Sequence, residues 1–170
     1  MKLARLIAAV LALLAAPLTA PATAEAPGSF NQRILSAHNG ERVRLGLAPL
    51  QWNPMLAAQA GVWARDLAAR GAFEHAKDRL GAGENLWGGT AGAFAPEAMI
   101  GAFLAEKQYF RPGTFPDVST TRRWQDVGHY TQIVWRGTRE VGCAVATGKG
   151  RDVLVCRYFP AGNVVGQPVF

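Results

Sequence analysis

The stretch Gly128-His129-Tyr130-Thr131-Gln132-Ile133-Val134-Trp135-Arg136-Gly137-Thr138 combines a histidine, a tyrosine hydroxyl, an amide and a tryptophan in one short run. A segment that only fills a hydrophobic core does not need so many polar groups. We therefore expect residues 129–132 to belong to a functional site and residues 133–135 to pack in the core. By local propensity alone, the β-branched and aromatic residues of 130–135 favour a strand.

The N-terminus has the pattern of a secretory signal peptide. Two early basic residues precede an apolar run at residues 6–16, and Ala22-Thr23-Ala24 is a small-x-small cleavage site. A retained membrane anchor is the alternative, which is disfavoured because the run is shorter than the ~20 residues of a spanning helix. We expect a signal peptide at residues 1–24, one domain at residues 25–170, and a periplasmic or extracellular location.

The charge is mildly basic. It falls from +6 for the whole chain to +4 when the predicted signal peptide, with Lys2 and Arg5, is removed. Arg122 and Arg123 are the only adjacent basic residues, so the scattered pattern argues against a nucleic-acid partner. Such a charge suits contact with anionic envelope polymers or lipid head groups, although solubility alone also explains it.

Local signals predict three helices. The first runs from Phe30 to about Leu45, and its polar residues are expected to face water: Arg33, Glu41, Arg42 and Arg44. The second has Asn53 as its N-cap, begins at Pro54 and ends at Gly71. The third begins at Pro96.

The third helix poses a question about Glu106. Met99, Phe103 and Phe110 define an apolar face that this carboxylate interrupts. Burial there is costly unless the carboxylate is paired. The alternative is a shifted register that leaves Glu106 solvated at the helix boundary, and periodicity does not decide between the two.

The remaining apolar runs predict a small sheet. A short strand is expected at residues 84–87, and a hairpin at residues 139–147 and 151–159. Cys143 and Cys156, the two cysteines of the chain, predict one disulfide in an exported domain. If they face each other, Thr147 pairs with Asp152 and the hairpin loop contains four residues, 148–151.

Four separated residues have the composition of a transition-metal site or of a coupled acid/base cluster: His75, Glu84, Glu106 and His129. Their spacing matches no compact ligand motif, so spacing does not show that they converge. His38 lies inside the first helix, and we expect it to be structural or on the surface.

Residues 128–138 resemble the first signature of the CAP superfamily, which comprises the cysteine-rich secretory, antigen 5 and plant pathogenesis-related 1 proteins and is also called the SCP domain. A second run resembles the second signature: Val153-Leu154-Val155-Cys156-Arg157-Tyr158-Phe159-Pro160-Ala161-Gly162-Asn163-Val164. Further pieces follow in the order of the family: His38-Asn39 with Arg42, Phe73 with His75, and Gly83-Glu84-Asn85-Leu86.

The resemblance implies an α+β fold, a three-layer α-β-α sandwich around a small antiparallel sheet. It places His129 at the start of a short helix, where local propensity favours a strand. It also implies a cavity tetrad of His75, Glu84, Glu106 and His129, in which the two histidines bind zinc or another divalent cation. The cysteine pair of the family supports the disulfide between Cys143 and Cys156.

Three functions fit these residues, and we favour the first. It is a non-enzymatic module that binds a lipid, a sterol or a cell-envelope ligand in an apolar groove. Trp87, Phe94, Phe103 and the connection 110–127 could line that groove, although ordinary core packing also explains those aromatic residues.

The second is a metal-assisted hydrolase acting on peptide or lipid, in which Glu84 or Glu106 activates a water held by the metal. No serine of the chain stands in a nucleophile motif. The third is a purely structural polar cluster that joins helices to the sheet.

Overall fold

The computed structural model describes residues 28–170, so the predicted signal peptide lies outside the described residues. The helices are α1 (Phe30–Arg44), α2 (Pro54–Arg70), α3 (Pro96–Ala105) and α4 (Gly128–Ile133). The strands are β1 (Gln51–Trp52), β2 (Gly83–Thr90), β3 (Glu140–Gly148) and β4 (Arg151–Phe159). Two 3-10 helices occupy Glu106–Tyr109 and Trp124–Asp126. None of the helices between residues 28 and 170 has the length and apolar character needed to cross a membrane.

The strands form one sheet in the order β1-β3-β4-β2. The short β1 runs parallel to β3, and the other neighbours are antiparallel. Helix α2 packs on one face of the sheet, while α1, α3 and α4 build the layer on the other face. The predicted α+β fold, a three-layer sandwich, is confirmed.

Helix α2 approaches the sheet closely because β3 carries a glycine at the contact. A Cβ at Gly142 would lie 2.2 Å from the backbone nitrogen of Ala57. The helix begins where the local signals predicted, since the Asn53 side chain accepts hydrogen bonds from the next free amides of the first turn and Pro54 follows it. Gly71 ends it in the left-handed conformation, with φ of 69°.

The hairpin of β3 and β4 has the predicted register. Cys143 lies opposite Cys156, to which it is joined by a disulfide, and Thr147 lies opposite Asp152. The predicted four-residue loop is wrong, because Gly148 and Arg151 still pair and only Lys149 and Gly150 form the turn. Both have positive φ, 49° and 74°, which matches the twist of the strands in a two-residue turn.

The layer of α1, α3 and α4 contains the larger core. Ile133, Val134 and Trp135 are buried in it, as expected. The preceding residues form α4 rather than a strand, so the helix implied by the family resemblance is confirmed and local propensity was misleading.

Burial of two charged residues of α1 contradicts the predicted water-facing side. Arg42 is 0% exposed and donates hydrogen bonds to four carbonyl oxygens, those of Ala48, Ile133, Trp135 and Thr138. Burial lowers the pKa of Arg42 to about 10. Glu41 is also buried, and it accepts hydrogen bonds from Arg44 and from the Tyr130 hydroxyl. Both residues therefore fix α4 against α1.

Candidate functional site

His129 stands at the start of α4 and is held by Glu106. Its Nδ1 lies 2.5 Å from Glu106 Oε1, and because a carboxylate oxygen accepts, Nδ1 carries the proton. Glu106 Oε2 accepts hydrogen bonds from the backbone amides of His129 and Tyr130, at 3.0 and 3.1 Å. A carboxylate is stabilised at these free amides of a helix N-terminus. The Phe103 ring stacks on the imidazole, with centroids 4.7 Å apart.

The question about Glu106 is answered by its position after the helix. Helix α3 ends at Ala105, so Glu106 does sit at the boundary. Its side chain is nevertheless 20% exposed and fully engaged by α4, rather than solvated. The carboxylate therefore serves as the link between α3 and α4.

His75 forms the matching pair with Glu84. Its Nδ1 lies 2.6 Å from Glu84 Oε1, which also accepts the Ala76 amide at 3.1 Å. Glu84 lies on β2 and its side chain is 0% exposed, whereas the His75 side chain is 53% exposed. The neighbouring residue across the sheet is Arg157, whose Nη2 lies 3.0 Å from Glu84 Oε2. The carboxylate is thus shared between an exposed ring and a buried cation.

Both histidines line one cavity of about 700 Å³, which we call the histidine cavity. Glu84 also lines it, and its apolar rim comes from Phe115, Pro116, Trp124 and Val165. Within residues 28–170, no hydrogen bond reaches Nε2 of His75 or of His129. With each Nδ1 donating to a glutamate, Nε2 is the nitrogen of each ring left to bind a ligand.

Three of the aromatic residues predicted to line an apolar groove, Trp87, Phe94 and Phe103, lie outside the histidine cavity. Phe103 is 3% exposed and belongs to the core. Trp87 and Phe94 pack edge to face against each other, at 5.1 Å, and do not line the histidine cavity. The connection 110–127 does contribute to the rim, through Phe115, Pro116 and Trp124. Core packing therefore explains Phe103, while Trp87 and Phe94 pack against each other outside the histidine cavity.

His38 is structural. It is 0% exposed, its Nδ1 donates to the Ile34 carbonyl at 2.8 Å, and its Nε2 accepts from the Tyr158 hydroxyl at 2.9 Å. Asn85 donates to that hydroxyl and to the His129 carbonyl, which extends the chain to α4. Burial lowers the pKa of His38 to about 4, so the ring is neutral.

One cluster in the described part of the chain has three candidate metal ligands within 4.8 Å of one another: His38, Cys143 and Cys156. The two sulfurs are joined in a disulfide, so neither is a thiolate. Both nitrogens of His38 are already engaged. This cluster therefore offers no place for a metal ion.

Sequence reasoning missed two supports of the site. Arg157 lies within the second signature, and strand pairing sets it opposite Glu84. Asn163, also in that signature, bonds to the Gly128 carbonyl and the Thr131 hydroxyl, at 2.8 and 2.7 Å. Its positive φ of 56° is a backbone feature that no sequence pattern reveals.

Comparisons with known proteins agree with this architecture. The family model described as "CAP: Cysteine-rich secretory protein family" matches residues 35–158. Pathogenesis-related proteins 1B and 1C of Nicotiana tabacum are 38% and 37% identical over 137 residues, which cover 80% of this chain and 78% of each relative. The crystal structure of NaASP2 with Zn²⁺ has a TM-score of 0.70 at 22% identity, covering 84% of this chain and 86% of NaASP2, and it supports the fold.

Proposed function

We propose, because this chain belongs to the cysteine-rich secretory protein (CAP) family, that it is an exported, non-enzymatic binding protein. Its histidine cavity holds a divalent cation, for which zinc is the first candidate, on His75 and His129. A lipid or sterol-like ligand of the cell envelope binds beside the ion. The signal-peptide pattern of residues 1–24 and the secretory character of the family support export.

The observation that carries the proposal is the common arrangement of the two histidines. Each lies on the cavity, donates Nδ1–H to a glutamate and keeps Nε2 without a hydrogen bond among the described residues. Metal-binding histidines in proteins are oriented by such carboxylate partners, which also raise the basicity of the ring. The structural His38, by contrast, is buried and has both ring nitrogens engaged within the protein.

The donor set fits a zinc ion with incomplete protein coordination. Two imidazole nitrogens suit zinc, and the remaining positions would be taken by water or by an oxygen of the ligand. A bound ion would supply a Lewis-acidic anchor for such an oxygen. The solved NaASP2 structure, which contains Zn²⁺, shares the fold and supports this choice of ion.

The rim of the cavity favours an apolar ligand. Phe115, Pro116, Trp124 and Val165 line it; Trp124 and Val165 are 39% and 74% exposed, whereas Phe115 is buried. Exposed apolar residues beside a polar centre are typical of a site that binds an apolar body and orients one polar group. A lipid or sterol, with one oxygen directed at the ion, has that chemistry.

The positions of the acidic residues argue against the hydrolase alternative. A general base must be free to accept a proton from water. Glu84 Oε1 is occupied by the His75 ring and a backbone amide, and Glu106 is occupied by three donors. None of the serines within residues 28–170 lines the histidine cavity. Binding therefore accounts for these contacts better than turnover does.

Zinc titration of two histidine-to-asparagine variants tests the metal site. The amide of asparagine can replace Nδ1–H toward the glutamate but offers nothing in place of Nε2. We expect His75→Asn and His129→Asn each to weaken zinc binding by about 100-fold. This exceeds most losses of affinity seen when only a residue that hydrogen-bonds a metal ligand is removed. Isothermal titration calorimetry measures this, and Gln125→Ala, which changes another cavity residue, is the control.

Two outcomes would overturn the proposal. Zinc affinity unchanged in both asparagine variants, with the fold intact, would remove the metal site. Metal-dependent release of product from peptide or ester substrates, abolished by Glu84→Gln or Glu106→Gln, would establish the hydrolase instead. Lipid extracted from the exported protein and identified by mass spectrometry supports the ligand assignment, provided that Trp124→Ala reduces its amount.

A further inference from the structure

A second cavity, of about 330 Å³, opens between α2 and the segment that follows His75. We call it the α2 cavity; none of its lining residues lines the histidine cavity. Val62 and Trp63 of α2 and Leu80 of the segment supply apolar walls. Val62 is 63% exposed and Leu80 is 70% exposed, although both are large apolar side chains. Apolar side chains left in water around a cavity indicate a place where a ligand binds.

Arg157 lines the α2 cavity with unused hydrogen-bonding capacity. Its side chain is 5% exposed, and its Nε is buried without a hydrogen-bond partner among residues 28–170. The ion pair with Glu84 Oε2 is made by Nη2 and therefore does not satisfy Nε. A guanidinium has five N–H groups, and leaving buried donors unpaired is costly. The group therefore has capacity for a further acceptor.

Two cations, Arg157 and Lys77, line the α2 cavity, and the acidic residues near them are Asp78 and Glu84. Asp78 lines it as well, but its carboxylate accepts the Leu80 amide at 2.9 Å within the loop. Glu84 Oε2 is paired with Arg157 Nη2, so an added carboxylate would have to bind the other donors of that guanidinium. An incoming carboxylate would thus meet Arg157 and Lys77 as its cations.

We propose that the α2 cavity binds a small monocarboxylate with a compact apolar body. The carboxylate pairs with the Arg157 guanidinium, whose planar donors match carboxylate geometry. The apolar body packs against Val62, Trp63 and Leu80. The volume lies at the small end of the range for ligand sites, which limits the ligand to a compact acid.

This site is separate from the proposed function. Arg157 also pairs with Glu84, which orients His75, but the α2 site uses neither His75 nor His129 and requires no metal ion. Binding is therefore expected to persist in protein treated with a chelator and in the His129→Asn variant. Failure of the metal proposal leaves this inference standing, and failure of this inference leaves the metal proposal standing.

The probe pair is 4-phenylbutyrate and 4-phenylbutan-1-ol, titrated into the full exported chain and followed by calorimetry and tryptophan fluorescence. The acid is expected to bind about tenfold or more tightly than the alcohol, which is the contribution of one hydrogen bond to a charged group. Val62→Glu adds a negative charge at the α2 cavity and should weaken binding of the acid by a similar factor. Val43→Glu is the matched control, because Val43 is also a helical valine and is also 63% exposed.

The charge partner is tested by Arg157→Gln, which should bring the affinity for the acid down to that of the alcohol. If this buried replacement prevents folding, the two valine variants still decide. The inference is overturned if the acid and the alcohol bind equally, if neither binds at 10 mM, or if Val62→Glu and Val43→Glu bind the acid alike.

Discussion

Acid should destabilise this protein through His38, whose neutral ring is buried between Ile34 and Tyr158. Its folded pKa is about 4 against 6.5 in the unfolded chain. Between those values the unfolded chain binds more protons, so the free energy of unfolding falls as pH falls. The 2.5-unit difference corresponds to about 3 kcal/mol, since one unit is worth ~1.36 kcal/mol. The stability is fully present above pH 6.5 and is lost progressively on approach to pH 4.

Urea unfolding at pH 7 and pH 4 measures this loss, with His38→Gln as the comparison. Other groups titrate in the same window, but they titrate in both proteins, and glutamine removes only the His38 contribution. The wild-type protein should lose about 3 kcal/mol more than the variant between the two pH values. Equal losses of unfolding free energy in the two proteins would show that His38 does not cause the acid destabilisation. An NMR titration that places the folded His38 pKa near 6.5 would show the same. The NMR measurement stands alone if the variant does not fold.

Three further changes probe the supports of the site, each by urea denaturation or zinc calorimetry. Arg42→Met should lower the free energy of unfolding by about 3–5 kcal/mol, because buried carbonyls lose their donor; a loss under 1 kcal/mol would contradict this. Gly142→Ala should lower the free energy of unfolding by about 3 kcal/mol, because its Cβ would overlap Ala57. Gly101→Ala, in an open helical position, should raise the free energy of unfolding by about 0.5–1 kcal/mol. Glu106→Gln should weaken zinc binding about 10–100-fold, and an unchanged affinity would remove its orienting role.

Boundaries set by local chemistry were predictable from the sequence. Asn53 starts α2 because its side chain accepts hydrogen bonds from free amides of the first turn, and Pro54 follows because it has no amide hydrogen to satisfy. Gly71 ends α2 because glycine adopts a positive φ without strain. The pairing of Thr147 with Asp152 followed from the two cysteines. The turn itself was mispredicted by one pair, since its length depends on backbone twist rather than on the cysteine register.

Burial of charge was not predictable from helical periodicity. Periodicity assigns Glu41 and Arg42 to the polar side of α1, and that side is normally solvated. Here three of the four acceptors of Arg42 are carbonyl oxygens of Ile133, Trp135 and Thr138, at or just after the end of α4 and far away in sequence. Backbone carbonyls leave no trace in residue identity, so only the fold reveals such a partner.

The cavity tetrad stays a prediction: His75, Glu84 and His129 line the histidine cavity, whereas Glu106 is not among its lining residues. The family resemblance nominated His75, Glu84, Glu106 and His129, and the spacing alone could not have done so. The division into two pairs depends on β2 and on the start of α4, which lie far apart in sequence. The zinc ligands remain a prediction, while the glutamates are now assigned to orienting the rings.

Crystallography with zinc shows whether His75 and His129 share one divalent ion through Nε2. Crystals grown with zinc should give one anomalous peak at the zinc edge in the histidine cavity, at about 2.0–2.1 Å from both Nε2 atoms. Each Nδ1 should remain on its glutamate. A peak bound to neither histidine, or the absence of a peak while both rings keep their orientation, would contradict the account.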